Sequence, residues 1–481
     1  MTDKTGNAIP TPAEYACRHR LAILFVILVS CFMAVLDNNI VAIALPTITA
    51  VFGVPLGQSQ WIATAYMMTI VATVLIFGTL AGRFGISRLF ITGLAIFVIS
   101  SFACGISGTL PLLIAARIVQ GLGAAMMMSI SMAIIMQVFP ADERGRAMGY
   151  ITATVALGLI IGPALGGILV DSFGWPFIFF VNVPIGCALL VLAFRYLRVE
   201  TVQAGPARID YPGAVLLILV MTAVAFLLNE LANPPVDPVR FAVNAGFGMV
   251  ALALFVYRER TAEIPLIDLT LVTTRGFVLP AVSLVLYFTA TFVLIILLPF
   301  YFEGVMGYRP TQVGLIAFVM PVAMMAGAPV CGWIYDRYCP KNYAALGVFG
   351  MGLSFILCGY GYATINIWVV IFAMVLAGIC RSMYQGPNTI EIMLSIPREK
   401  VGVASSVLVI LQDLGVMFGI SAAAIFLVLQ LDALGYTGAV LAAGPAVLPP
   451  LFGNAMYAGG LICLASAAFS FKRAEPGRGR G

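Results

Sequence analysis

The chain has 481 residues, of which 62% are hydrophobic and only 9% charged, and its mean hydropathy is +1.07. Soluble domains hold about 45–50% apolar and about 25% charged residues, so a water-soluble globule is excluded. The net charge of +5 would suit a nucleic-acid partner only if the basic residues were gathered for one, and their distribution gives them another role.

The apolar residues fall in runs of 20 or more, long enough for an α-helix to cross a hydrocarbon core of roughly 30 Å. Lipid offers the backbone no hydrogen bonds, so such runs must be helices; a β-barrel would show alternating segments of about 10 residues. The polar stretch Met1–Arg20 and the long first run do not resemble a cleavable leader. In chain order the predicted spans are 20–45, 58–81, 88–107, 111–138, 147–171, 174–196, 211–230, 239–257, 276–301, 311–335, 342–362, 366–394, 402–429 and 449–471, fourteen in all. An even number places both ends of the chain on one side.

Twenty-one basic residues then share that side, Arg240 and Arg309 fall on the other, and Arg117 and Arg381 lie within spans. By the positive-inside rule the expected location is the cell (inner or plasma) membrane, multi-pass, with both termini cytoplasmic. The positive charge is topogenic, and no nucleic-acid partner is expected. The nine cysteines are scattered without a CxxC pair, and several, such as Cys104 and Cys358, sit inside apolar runs. They read as core residues, not as a disulfide framework or metal site. The single histidine, His19, precedes the first span, which leaves no intramembrane histidine for zinc or a proton relay.

The chain repeats itself. At an offset of 254 residues Val51, Gly53, Gln58, Gly78 and Arg83 recur as Val305, Gly307, Gln312, Gly332 and Arg337; at 257, Pro140, Gly145, Gly158 and Gly162 recur as Pro397, Gly402, Gly415 and Gly419. Shared hydrophobicity alone would align apolar residues, not glycines, prolines and loop charges. The expected organisation is a tail (1–19), a six-helix half (20–200), a two-helix insert (201–260), a linker (261–275), a second six-helix half (276–471) and a tail (472–481). Parallel halves of this kind carry a substrate site between them near the midplane.

Five segments resemble the major facilitator superfamily in its fourteen-helix drug–proton antiporter branch. They are LDNNIVAIALP (36–46), GTLAGRFGISR (78–88), RIVQGLGAA (117–125), GLIIGPALGG (158–167) and IPLIDLTLVTTRGF (264–277). Each motif is weak alone; five in the right order on the right spans are specific. The resemblance implies an all-α membrane fold of two six-helix halves plus two inserted helices. It also implies a proton gradient as the energy source, no cofactor, and alternating access. In the family the loop after span 2 carries an aspartate that helps lock a gate. Gly82 stands there in this chain, while the second-half copy keeps Asp336 and Arg337, so the gate contact is expected to rest on the second half. Gly78, Arg83, Asp336 and Arg337 are the expected gating residues of the two loops.

Ionisable groups inside a membrane are costly and mark functional candidates. Asp37 lies 17 residues past Arg20, and Arg117 is 23 residues before Pro140; at about 1.5 Å per residue both lie beyond the midplane, where they can face each other. By resemblance Asp37 is the proton-linked acid and Arg117 the arginine that tunes it. Desolvation favours a neutral carboxyl and a nearby guanidinium a charged one, so a changing environment would load or release a proton. The alternative is a permanent ion pair that only pins two helices. Asp413 and Arg381 lie near the middle of spans 13 and 12 and form a second plausible pair, as a proton or cation site or as a structural contact. Glu391, nearer the inner end of span 12, is a weaker coupling candidate.

Gly158, Gly162, Gly166 and Gly167 permit close helix approach and Pro163 removes a backbone donor; in the family this segment packs the halves together. Tyr66, Gln120, Met127, Asn38 and Asn39 are the candidate substrate-cavity residues, methionine being adaptable to varied shapes. The expected partners are a small-molecule substrate, protons and lipid; no accessory protein is specified. The leading expectation is a proton-coupled exporter of amphipathic, often cationic, compounds. Its alternatives are an exporter of one metabolite and an importer or uniporter of the same fold. The chain has no GxxxxGK[ST] loop for an ATP-driven pump, and no HExxH or GxSxG segment for an intramembrane enzyme.

Overall fold

The structure is a computed structural model, and it describes residues 19–197, 210–232, 236–262, 274–338, 342–394, 401–436 and 447–472. Fourteen helices run through them. They are α1 (Arg20–Phe52), α2 (Trp61–Phe84), α3 (Ile86–Gly105), α4 (Leu110–Val138), α5 (Ala141–Phe173), α6 (Phe177–Phe180 and Asn182–Tyr196) and α7 (Tyr211–Leu231). The rest are α8 (Pro238–Thr261), α9 (Arg275–Gly304), α10 (Pro310–Ala317 and Val319–Tyr338), α11 (Tyr343–Ala363), α12 (Ile367–Leu394), α13 (Val401–Ala433) and α14 (Leu448–Phe471). Thirteen are long and apolar enough to cross a membrane; α2, 24 residues long, holds the place of the predicted second span. The side chains of Arg83 and Asp336, and most of the segment 264–277, lie outside the described residues.

The repeat seen in the sequence is a repeat of packing. In the first half α1 packs on α5, α2 on α4 and α3 on α4; in the second half α9 packs on α13, α10 on α12 and α11 on α12. The repeat-related glycines do the same work in each. A side chain on Gly158 or Gly162 would run into α1 at Val35 or Asn39, and one on Gly415 or Gly419 would run into α9 at Val285 or Thr289. Gly53 and Gly307, another repeat pair, both turn the chain with positive φ, 61° and 65°, just past α1 and α9. Only glycine adopts that backbone without strain.

Besides a contact of α1 with α9, the halves meet along two repeat-related seams. In one, α5 meets the first segment of α10; in the other, α13 meets α2 and the short helix Leu56–Ser59. The tightest approach is at the face opposite the start of α1, here called the far face. There Gly167 lies against the Pro310 carbonyl and Gly314 against the Pro163 carbonyl, with no room for a side chain on either. The Thr311 hydroxyl donates to Asp171 Oδ2 at 2.9 Å. The glycine stripe of α5 is therefore divided: Gly158, Gly162 and Gly166 serve packing on α1 within one half, and Gly167 serves contact between halves.

The insert covers the α2–α13 seam. Helix α7 packs on both helices, and Leu217, Val220 and Met221 join Val71 of α2 and Ile410 of α13 in one apolar cluster. Helix α8 lies outermost, with Val239, Met249 and Tyr257 about 70% exposed, as lipid-facing residues are. Two ion pairs tie the hairpin at its ends, Arg240–Glu230 at 2.8 Å and Arg258–Asp210 at 2.9 Å. Asp210 and Asp237 also cap the starts of α7 and α8 by accepting backbone N–H groups.

Overpacking of about 1–3 kcal/mol at a contact made in one of two states shifts their ratio by roughly 5- to 150-fold. Gly167→Val should therefore open the far face. A cysteine placed at Thr311 in a cysteine-free background is expected to react several times faster with a water-soluble maleimide when Gly167 is valine. Equal rates would show that this contact does not hold the far face shut.

Candidate functional site

Five helices of the first half build a charged site inside its core. Asp37 of α1 is 1% exposed and Arg117 of α4 is fully buried. Arg117 Nη1 pairs with Asp37 Oδ2 and also donates to Gln120 Oε1 at 2.6 Å. Arg117 Nε donates to the Ile62 carbonyl at 2.9 Å. The other carboxylate oxygen, Asp37 Oδ1, accepts from Gln120 Nε2 and from Asn182 Nδ2 of α6, each at 2.9 Å. Gln120 reaches on to Ser101 at 2.9 Å. The guanidinium lies 4.0 Å from the centre of the Tyr66 ring and 5.7 Å from that of Phe179, a cation–π seat that favours a desolvated cation.

The network is nearly complete. A buried pair is held only when its remaining lone pairs and protons find partners. Two atoms are left over, Arg117 Nη2 and Asn182 Oδ1, both buried and without a hydrogen bond. The spacing of Arg117 and Gln120, three residues apart on one helix face, brings both to the same carboxylate. The sequence reasoning that joined Asp37 to Arg117 agrees with this geometry. It missed Asn182, which follows the short helix Phe177–Phe180 at a junction with no helical period to place it.

A second feature lies between the halves. A cavity of about 50 Å³ is lined by Asn39, Ala42 and Ile43 of α1, Leu159 and Pro163 of α5, Leu294, Ile295 and Leu298 of α9, Met320, Pro321 and Ala317 of α10, and Met374 and Arg381 of α12. Asn39 alone of the expected cavity residues is among them. Tyr66, Gln120 and Met127 are fully buried inside the first half, the first two as parts of the Asp37–Arg117 site, and Asn38 is 9% exposed on α1. The face each of these residues presents is fixed by its partners. Methionines 128 and 132 point outward.

The expected pairing of Asp413 with Arg381 is not formed. Arg381 is 6% exposed, its Nε donates to Gln385 at 3.3 Å, and it makes no ion pair among the described residues. Asp413, half-buried on α13, lies within electrostatic range of Tyr66. The two residues match in depth, but α12 and α13 turn these faces apart. Glu391 is half-buried near the end of α12. Glu303, near the far end of α9, lies two residues past the span predicted from the sequence; its Oε1 is buried without a hydrogen bond. The second half is held instead by hydroxyls: Ser283 bonds Tyr384 at 2.8 Å and Ser466 at 2.9 Å, joining α9, α12 and α14. Of the loop residues, Gly78 is exposed, and the exposed Arg337 lies over the Trp333 ring at 5.6 Å.

Comparison with known proteins places this geometry. A family profile described as Major Facilitator Superfamily matches residues 27–420. The riboflavin transporter RibZ of Clostridioides difficile (strain 630) is 32% identical over 84% of this chain and 87% of its own length. The multidrug resistance protein Stp of Mycobacterium tuberculosis (strain H37Rv) is 30% identical over 81% of this chain and 72% of its own. The crystal structure of a D-xylose–proton symporter, 14% identical, superposes with a TM-score of 0.63 over 95% of this chain and 98% of that one, a likeness of fold.

Removing one member of a buried pair leaves an uncompensated charge, at a cost of about 3–5 kcal/mol. Arg117→Leu should therefore lower the melting temperature of the purified protein sharply, and Asp37→Asn added to it should restore much of the loss. If the double variant melts no higher than Arg117→Leu, the pair is not coupled as described.

Proposed function

The chain belongs to the Major Facilitator Superfamily, and we propose that it exports amphipathic small molecules from the cell in exchange for protons. The observation that carries this reading is Asp37, a carboxylate in the apolar interior held by partners from α4 and α6. A sealed structural pair would be fully satisfied. Here two polar atoms of the network stay unpaired, as suits a group that changes partners and charge. The antiporter-type segment 158–167 and the multidrug resistance relatives support export. The charged group lining the cavity is Arg381, which disfavours a cationic cargo at that wall.

The basic residues on the side of the α1 start make that face cytoplasmic, with both termini there. The far face is then external, and the contacts of Gly167 and Gly314 close it, leaving the cavity to be filled from the cytoplasm. Rocking of one half against the other would part those contacts. Helix α1 connects the two sites. It carries Asp37 into the charged network and, two residues on, Asn39 into the cavity, while Gly162 of α5 packs on Asn39. Protonation of Asp37 would release Arg117 from its ion pair and loosen the seat of α1. The proton and the cargo thus act on one helix without sharing a binding site. A second reading, carriage of one particular metabolite, is favoured by the identity to a riboflavin transporter, and needs no change in this coupling.

In proteoliposomes Asp37→Asn should abolish export driven by a pH gradient while the protein remains inserted and monodisperse. Normal pH-dependent efflux in that variant would sink the assignment. Asp413, without an ion pair among the described residues, is a second coupling candidate: Asp413→Asn should alter the response of export to membrane potential, and an unchanged response for charged and neutral cargo alike would remove it from the scheme.

A further inference from the structure

The two intramembrane arginines differ in one respect. Arg117 has a carboxylate, an amide and a backbone carbonyl around it. Arg381 is nearly as buried, with a hydrogen bond to the neutral Gln385 and no ion pair among the described residues. The fully buried Tyr287 of α9 lies beside it, another neutral partner. A lysine in such a place can lose its proton; an arginine keeps its charge. The cost of an uncompensated charge inside the membrane therefore remains until an anion reaches it.

Arg381 lines the cavity between the halves, so the missing anion can be cargo. Across from α12, Asn39 commits an amide N–H to the Val35 carbonyl at 2.7 Å, which leaves its carbonyl oxygen uncommitted. The rest of the lining is aliphatic, proline or methionine. Ligand pockets are lined mostly by apolar groups, with a few polar ones that fix orientation, and this lining has that character. We propose that the cavity binds amphipathic organic anions: a carboxylate or sulfonate on the Arg381 guanidinium, an apolar body along α9 and α10, and a hydrogen-bond donor, where the cargo has one, on Asn39. Arg381 then sets specificity, accepting anions over the lipophilic cations of the same size. The inference rests on reading this cavity as the transport site.

Three probes with one ring body separate charge from shape: 2-naphthoate, 2-naphthamide and 2-naphthyltrimethylammonium. Binding is measured at a single pH, without a gradient, on the full-length protein in nanodiscs, so the outcome does not depend on proton coupling at Asp37. The protein should bind 2-naphthoate at least about tenfold tighter than the ammonium probe, as expected for one charge-assisted contact. Arg381→Gln should remove that preference while 2-naphthamide binding stays within about twofold, a sign that the cavity is intact. Arg381→Lys should keep part of the preference, since the charge remains and the planar fork does not. Equal binding of anion and cation, a preference that survives Arg381→Gln, or no naphthoate binding that depends on residue 381 would each overturn the proposal. Loss of pH-driven export in Asp37→Asn with the anion preference intact would separate the two readings.

Discussion

A carboxylate and a guanidinium buried in a membrane-spanning bundle must neutralise each other and spend nearly every remaining hydrogen-bonding atom. That requirement organises the first half of this protein. Asp37 and Arg117 face each other across α1 and α4; Gln120 closes the ring from the same turn of α4; Asn182 reaches in from α6. Tyr66 and Phe179 wall off the guanidinium from lipid. The position of α1 is fixed by this ring on one side and by the glycines of α5 on the other. Any change in the charge of Asp37 is therefore a change in the seating of α1.

The second half has no such ring. Its repeat-related helix α9 is packed by the same glycine device from α13, but its buried polar contacts are hydroxyls, Ser283, Tyr384 and Ser466, and stacked aromatics such as Tyr301 on Tyr362. The architecture is symmetric and the chemistry is not. One half carries the proton candidate inside its own core, and the other carries a buried charge without an ion pair among the described residues, Arg381, on the cavity wall. The insert adds to this asymmetry by covering the α2–α13 seam and leaving the α5–α10 seam to backbone contacts at Gly167 and Gly314.

Much of this was legible in the sequence, because lipid imposes strict rules. Apolar runs gave the helices, basic residues gave the orientation now proposed, and the recurrence of glycines at 254 and 257 residues gave the two halves. The Asp37–Arg117 contact was legible because depth along two helices was enough when both residues lie in one half near a shared axis. The same reasoning failed for Asp413 and Arg381. Equal depth says nothing about azimuth, and α12 and α13 present those residues to different neighbours. Tyr66 and Gln120 were expected in the cavity, whereas they belong to the ion-pair site. The division of labour within the α5 glycine stripe was also hidden, since close approach to α1 and close approach to α10 require the same small residue.

The central claim is that Asp37, although buried and paired, takes up a proton as the transporter works. Infrared difference spectroscopy on the purified protein tests it directly, since a protonated carboxyl has its own C=O band. Lowering the pH should bring up such a band in the wild type, and that band should be missing from Asp37→Asn. A pH-induced carboxyl spectrum identical in the two proteins would show that Asp37 stays ionised throughout, and that the pair with Arg117 is a fixed strut.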